Sequence, residues 1–126
     1  MDSDRDSRTI LIIDDESGIR MLLKTFLERV GYKVLQAADG LQGVEVFTAN
    51  AAAIDCCIVD MTMPKMDGLE VCEAIRRHSP DSAVLICSGF PDDRIDHFVA
   101  GPGRSAFVQK PFQFSTLITT LQEILI

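Results

Sequence analysis

Five short apolar runs recur along the chain, and each gives way to a stretch with a different hydrophobic period. The first, "TILII" at 9–13, is continuous and rich in β-branched residues, as in a strand buried on both faces. Ile19, Leu22, Leu23, Phe26, Leu27 and Val30 then recur at i, i+3, i+4, i+7, i+8 and i+11. That is one helical stripe, predicting a helix over 16–30 that Gly31 stops. "YKVLQA" at 32–37 reads as a second strand, and Val44 and Phe47 anchor a helix over 41–50. "IDCCIV" at 54–59 is the third strand, followed by a helix over 68–78 carrying Leu69, Cys72 and Ile75. "AVLICS" at 83–88 is the fourth, followed by a helix over 92–100 that "GPG" at 101–103 closes. "AFVQ" at 106–109 is the fifth, and a last helix over 114–126 sets Leu117, Leu121, Ile124 and Leu125 on one stripe. Strand–helix repeated five times predicts an α/β fold, a five-stranded parallel sheet with helices on both faces. A short polar tail, 1–8, precedes one domain spanning 9–126.

The polar residues that interrupt this pattern follow the strands. Asp14, Asp15 and Glu16 come after the first, Asp60 after the third, Ser88 ends the fourth and Lys110 follows the fifth. Only the second strand ends blandly, in Ala37 and Ala38. In open α/β sheets the ligand crevice lies outside the carboxyl ends of the strands, so four strands deliver polar chemistry to one edge. Clustered carboxylates repel one another, and a hard divalent cation relieves them; Mg2+ takes carboxylates, waters and phosphate oxygens. Lys110 adds a positive point charge and Ser88 a hydroxyl donor. Such a set cages a phosphoryl group, whose transfer is mainly a matter of stabilising charge on its oxygens. Asp60, held by a strand, is then the nucleophile that accepts it as an acyl phosphate. Pro64 and Asp67-Gly68 shape the loop beside it, with Asp67 a turn or cap residue for the next helix.

Composition narrows the classes. The chain has 126 residues, enough for one domain, and 47% hydrophobic residues, enough for a core. A formal net charge of -7 disfavours binding to nucleic acid or to an anionic membrane by this domain itself. No apolar stretch is long enough to span a membrane, and "MDSDRDSRT" lacks the apolar segment of a signal peptide. Cys56, Cys57, Cys72 and Cys87 show neither CxxC spacing nor histidine partners, and read as buried, reduced hydrophobes in a cytoplasmic protein. Taken alone, Asp14, Asp15 and Glu16 are also ordinary helix-start acids, and Lys110 an ordinary surface lysine. Their joint placement at strand ends carries the functional reading. Glu16 divides evenly between a helix-terminus charge and a helper at the metal. His78 and His97 read as surface residues.

"LIIDDE", "DMTMPKMDG", "CSGF" and "FVQKPF", in this order and strand context, resemble the receiver domain of two-component response regulators over residues 9–126. The resemblance implies the (βα)5 fold shared by flavodoxin-like and CheY-like proteins. It implies Asp60 as phosphoacceptor and Asp14, Asp15, Asp60 and the main-chain carbonyl of Thr62 as Mg2+ ligands. It further implies Lys110 as the phosphate-binding lysine, Ser88 and Phe107 as the switch pair, and a cis Lys110-Pro111 bond. The implied role is an Mg2+-dependent phosphorelay switch rather than a turnover enzyme. A histidine kinase or histidine phosphotransfer protein would load Asp60, and the face made by the fourth helix, fifth strand and fifth helix would respond. An attached output or kinase domain and a phosphorylation-dependent homodimer are both open.

The sequence departs from the family where Phe107 replaces the commoner tyrosine, and where "GPG" implies a fourth helix that is short or irregular. Thr62 and Phe90, which flank the phosphoryl group in the family, offer no acid or amide to orient water, so self-dephosphorylation is expected to be slow. Two other classes share parts of the pattern. A haloacid-dehalogenase-like phosphatase needs a second Asp where this chain has Thr62. A flavodoxin-like flavin binder needs a Ser/Thr/Gly-rich first loop where this chain has acids.

Overall fold

The apolar runs become the strands of one parallel sheet, the first, third and fourth buried on both faces and the second and fifth partly exposed at its edges. The computed structural model describes residues 8–63 and 66–125, so most of the expected tail and the loop position Pro64 lie outside the described residues. The elements alternate as β1 (Thr9–Ile13), α1 (Ser17–Val30), β2 (Lys33–Ala37), α2 (Gly40–Asn50), β3 (Cys56–Asp60), α3 (Gly68–His78), β4 (Ala83–Ser88), α4 (Asp93–Ala100), β5 (Ser105–Gln109) and α5 (Phe114–Ile124). The sheet order is β2-β1-β3-β4-β5, with every neighbouring pair parallel. The order reverses between β1 and β3, which opens a crevice at their carboxyl ends.

Successive strand side chains point to opposite faces, which sorts the core into two clusters. Leu11, Ile13, Cys57, Val59, Val84 and Ile86 pack toward Phe47, Val71, Ile75 and Ile95, under α2, α3 and α4. Ile10, Ile12, Cys56, Ile58, Leu85 and Cys87 pack toward Leu23, Leu27, Leu117 and Leu121, under α1 and α5. Each fully buried aliphatic side chain contributes on the order of 2 kcal/mol. All four cysteines are free and buried, as expected.

The departures from the expected boundaries have local causes. Ile54 is buried but belongs to the turn before β3, and the Asp55 carboxylate accepts the Thr9 N–H at 2.9 Å, closing the start of β1. Asp60 is itself the last residue of β3. The helix before "GPG" is short but regular, eight residues over Asp93–Ala100. Arg8, expected in the solvated tail, is tied down: its carbonyl accepts the Lys33 N–H at 2.9 Å, and its guanidinium donates to the Leu125 carbonyl. No helix among the described residues is long and apolar enough to cross a membrane.

Candidate functional site

The crevice at the carboxyl ends of β1 and β3 collects the acids. One carboxylate oxygen from each of Asp14, Asp15 and Asp60 lies within 4.8 Å of the others. Asp14 and Asp60 are buried and Asp15 is exposed. Asp60 is held by the ladder to β4: it pairs in register with Cys87, and the Met61 N–H donates to the Cys87 carbonyl at 3.0 Å. Met61 and Met63 turn into the core while Thr62 between them is exposed.

Gly68 explains the Asp-Gly pair. A Cβ at this position would lie 2.3 Å from the Asp60 carbonyl oxygen and 2.7 Å from the Met61 Cα. The backbones touch there, so only glycine lets α3 begin directly against the loop that carries Asp60. Asp67 caps that helix, accepting the Glu70 N–H at 2.9 Å, while the Glu70 carboxylate accepts the Asp67 N–H at 3.1 Å.

Lys110 enters from the end of β5. Its N–H donates to the Ser88 carbonyl at 2.8 Å, and the Lys110-Pro111 bond is cis, as expected. The ammonium donates to Asp60 Oδ1 at 2.9 Å and lies 3.7 Å from Asp14 Oδ2. Burial works to lower the Lys110 pKa, but the hydrogen bond to Asp60 and the charges of Asp60 and Asp14 outweigh it and raise it. The Asp14 carboxyl is raised, chiefly by burial; the Glu16 N–H it accepts at 2.9 Å works against that, and the nearby Asp60 charge adds to it. One lysine thus offsets two of three clustered acids, and the set is short of positive charge. Closely spaced hard oxygen donors in negative surplus fit a divalent cation such as Mg2+.

The remaining expected residues divide. Ser88 is buried at the end of β4, where its hydroxyl donates to the Phe90 carbonyl at 3.1 Å and accepts the Phe90 N–H at 3.2 Å. Phe107 is half-buried on β5, packed with Phe98 and Val99 against the core cluster under α4. Glu16 is exposed at the start of α1 and is not one of the three converging carboxylates. His78 and His97 are exposed. Burial pushes the Cys87 thiol up to about 12, so it stays protonated beneath the site. Sequence reasoning missed Arg20, whose Nη1 donates to the Asp14 carbonyl at 2.6 Å. The only signal was a cation in the first turn of a helix, where cations are disfavoured.

A family model for the response regulator receiver domain matches residues 10–122. The sensor kinase CckA of Brucella abortus is 31% identical over 119 residues, covering 94% of this chain and 13% of that protein. A probable transcriptional regulator, ycf27 of Cyanidium caldarium, is 36% identical over 118 residues, covering 92% of this chain and 45% of that protein. The chain therefore spans less than half the length of either relative. Among solved structures, a response regulator receiver domain protein from Clostridium thermocellum superposes with a TM-score of 0.87 at 33% identity, covering 94% of both chains. The response regulator TrrA of Thermotoga maritima, in complex with Mg2+ and BeF, gives 0.82 at 30% identity, covering 93% of this chain and 98% of that one. Neither the phosphatase nor the flavin-binding alternative is supported. With an acidic crevice at its switch point and this match over most of its length, the chain belongs to the response regulator receiver domain family of two-component systems.

Proposed function

We propose that Asp60 is the phosphoacceptor of this receiver and that a phosphohistidine on a histidine kinase or histidine phosphotransfer protein is its donor. The observation that carries the reading is the convergence of Asp60 with Asp14, Asp15 and the Lys110 ammonium at one strand end. Lys110 holds Oδ1 of Asp60, which leaves Oδ2 as the attacking atom. The Asp60 oxygen bonds to phosphorus as the P–N bond breaks. Its electron pair returns to the imidazole, which leaves neutral when its other nitrogen carries a proton. Mg2+, held by the carboxylates of Asp14, Asp15 and Asp60 and by the Thr62 carbonyl, would neutralise the acids and the charge on the phosphoryl oxygens. The protein does not turn over an external metabolite on this reading, and its product is its own modified state.

Ser88 and Phe107 would report that state. Ser88 has a single O–H, and in this structure it is given to Phe90, so contact with a phosphoryl oxygen requires that bond to break. The half-buried Phe107 ring would then repack beside α4. Phe90 is 80% exposed and Thr62 is exposed, and neither carries an acid or amide to orient an attacking water, which supports slow self-dephosphorylation. Intact mass after incubation with a small acyl phosphate tests the reading. We expect one added phosphoryl group, dependent on Mg2+ and absent from Asp60→Ala. A folded protein that gains nothing from such a donor or from a phosphohistidine protein would overturn it.

A further inference from the structure

We infer that Arg20 is a positioning residue for the acidic site, holding the connection between β1 and α1 so that Asp14 and Asp15 converge on one cation. The inference rests on the metal reading above and extends it to a side chain that touches neither metal nor phosphoryl group. Arg20 is the fourth residue of α1, a helix with no acid in its first turn and no side-chain cap from Glu16. A cation there opposes the helix dipole, so local helix stability does not account for it. Its half-buried guanidinium instead folds back across the turn, and Nη1 donates to the Asp14 carbonyl at 2.6 Å.

That bond sits at a sensitive place. The Asp14 carbonyl and the Asp15 N–H belong to the same planar peptide, so fixing one orients the residue that carries the other. The rest of Asp14 is already held: its N–H donates to the Ala37 carbonyl at 3.2 Å and its Oδ1 accepts the Glu16 N–H at 2.9 Å. Arg20 therefore supplies the bond that sets the plane from which the exposed Asp15 departs. Asp15 has no comparable hold on its own carboxylate among the described residues, and it is the acid whose aim depends most on its backbone.

A plain counter-charge would behave in the opposite way. Removing a positive charge near a cation site tightens cation binding, whereas removing a positioning bond weakens it. The test is an MgCl2 titration of the 15N-labelled protein, followed by the amide shifts around residues 14–16 and 60–62, in wild type, Arg20→Gln and Arg20→Lys. Dispersed amide spectra establish that the variants fold. We expect Arg20→Gln to bind Mg2+ about ten-fold more weakly, as when a residue one step behind a metal ligand is lost. Arg20→Lys, which keeps the charge without the planar fork, should be weakened by a smaller factor, and it carries the test alone if Arg20→Gln does not fold. Variants that bind as tightly as wild type, or more tightly, would overturn the inference alone. Wild-type amides that never respond to Mg2+ would overturn the metal reading and the inference with it.

Discussion

The two edges of the sheet hold their charges differently. At the carboxyl edge, Asp14 and Asp60 share one lysine, and the carboxylate of Asp15 converges on the same pair. At the amino edge, arginines face main-chain carbonyls. Arg104 donates to Ile124 at 3.0 Å and to Asp81 at 2.8 Å, and Arg8 donates to Leu125. Arg76, at the end of α3, donates to the carbonyls of Pro80 at 3.0 Å, Arg104 at 3.2 Å and Ser82, and to the Ser105 hydroxyl, and lies over the Phe98 ring. The Ile124 and Leu125 carbonyls end α5 and are partly negative, so Arg104 and Arg8 meet what that terminus lacks; the other carbonyls belong to the loops that lead into β4 and β5. The amino edge pairs most of its cationic donors, with Arg76 Nε left buried without a partner among the described residues and the Arg76 guanidinium lowered in pKa, chiefly by burial and also by the nearby Arg104 charge. The carboxyl edge keeps a surplus of acid that folding does not neutralise, and only an edge with such a surplus can respond to an arriving cation and phosphoryl group.

The largest effect should come from the one place where backbone touches backbone at the site. Gly68→Ala puts a Cβ 2.3 Å from the Asp60 carbonyl oxygen, and neither main chain can yield cheaply. We expect a loss of about 3 kcal/mol in denaturant unfolding; a loss near zero would show that α3 does not bear on Asp60 as described. The amino edge should fail differently. Arg76→Met leaves several carbonyls without donors and should cost about 2 kcal/mol, while the Mg2+ affinity stays at the wild-type value. Gly103, at φ 94° with the Arg76 Cζ 2.3 Å from where a Cβ would stand, belongs to the same arrangement. A changed Mg2+ affinity in Arg76→Met would mean that the two edges are not independent.

The smallest effect has the opposite sign. Asp14 is raised chiefly by burial, so its ionised form is less favourable in the folded than in the unfolded chain. Its contribution is most favourable below the ordinary carboxylate pKa and is lost as pH rises through the raised value. Without Mg2+, Asp14→Asn should therefore stabilise the protein at neutral pH, by about 1 kcal/mol or roughly 4 °C in Tm. The gain should shrink as pH falls through the raised value and be gone below about 4, where Asp14 is neutral in both folded and unfolded chains. Calorimetry across pH would check it, and a destabilised variant at neutral pH would contradict the charge-surplus account.

The centre of the fold was legible because a parallel strand covered on both faces, as β1, β3 and β4 are, reads as a nearly continuous apolar run. "TILII" and "AVLICS" cannot be mistaken for amphipathic helix segments of the length seen in α1. The site was legible because Asp14, Asp60, Ser88 and Lys110 interrupt that pattern at equivalent points. What escaped were contacts between distant residues. Arg8 meets Leu125 across 117 positions and Arg76 meets Ser105 across 29, and neither leaves a local period to read. Arg20 escaped for another reason: its contact is to a main-chain carbonyl, which no side-chain pattern encodes, and for the same reason Asp67-Gly68 could be read as shaping the loop but not as the close approach of Gly68 to the Asp60 backbone.

Peptide mapping of the phosphorylated protein after reduction of the acyl phosphate with borohydride tests the central assignment most directly. Reduction converts the modified aspartate to homoserine and marks it permanently. We expect that mark at Asp60 alone, with Asp14 and Asp15 unmodified. A mark on either of those acids, or one that persists elsewhere in Asp60→Ala, would contradict it.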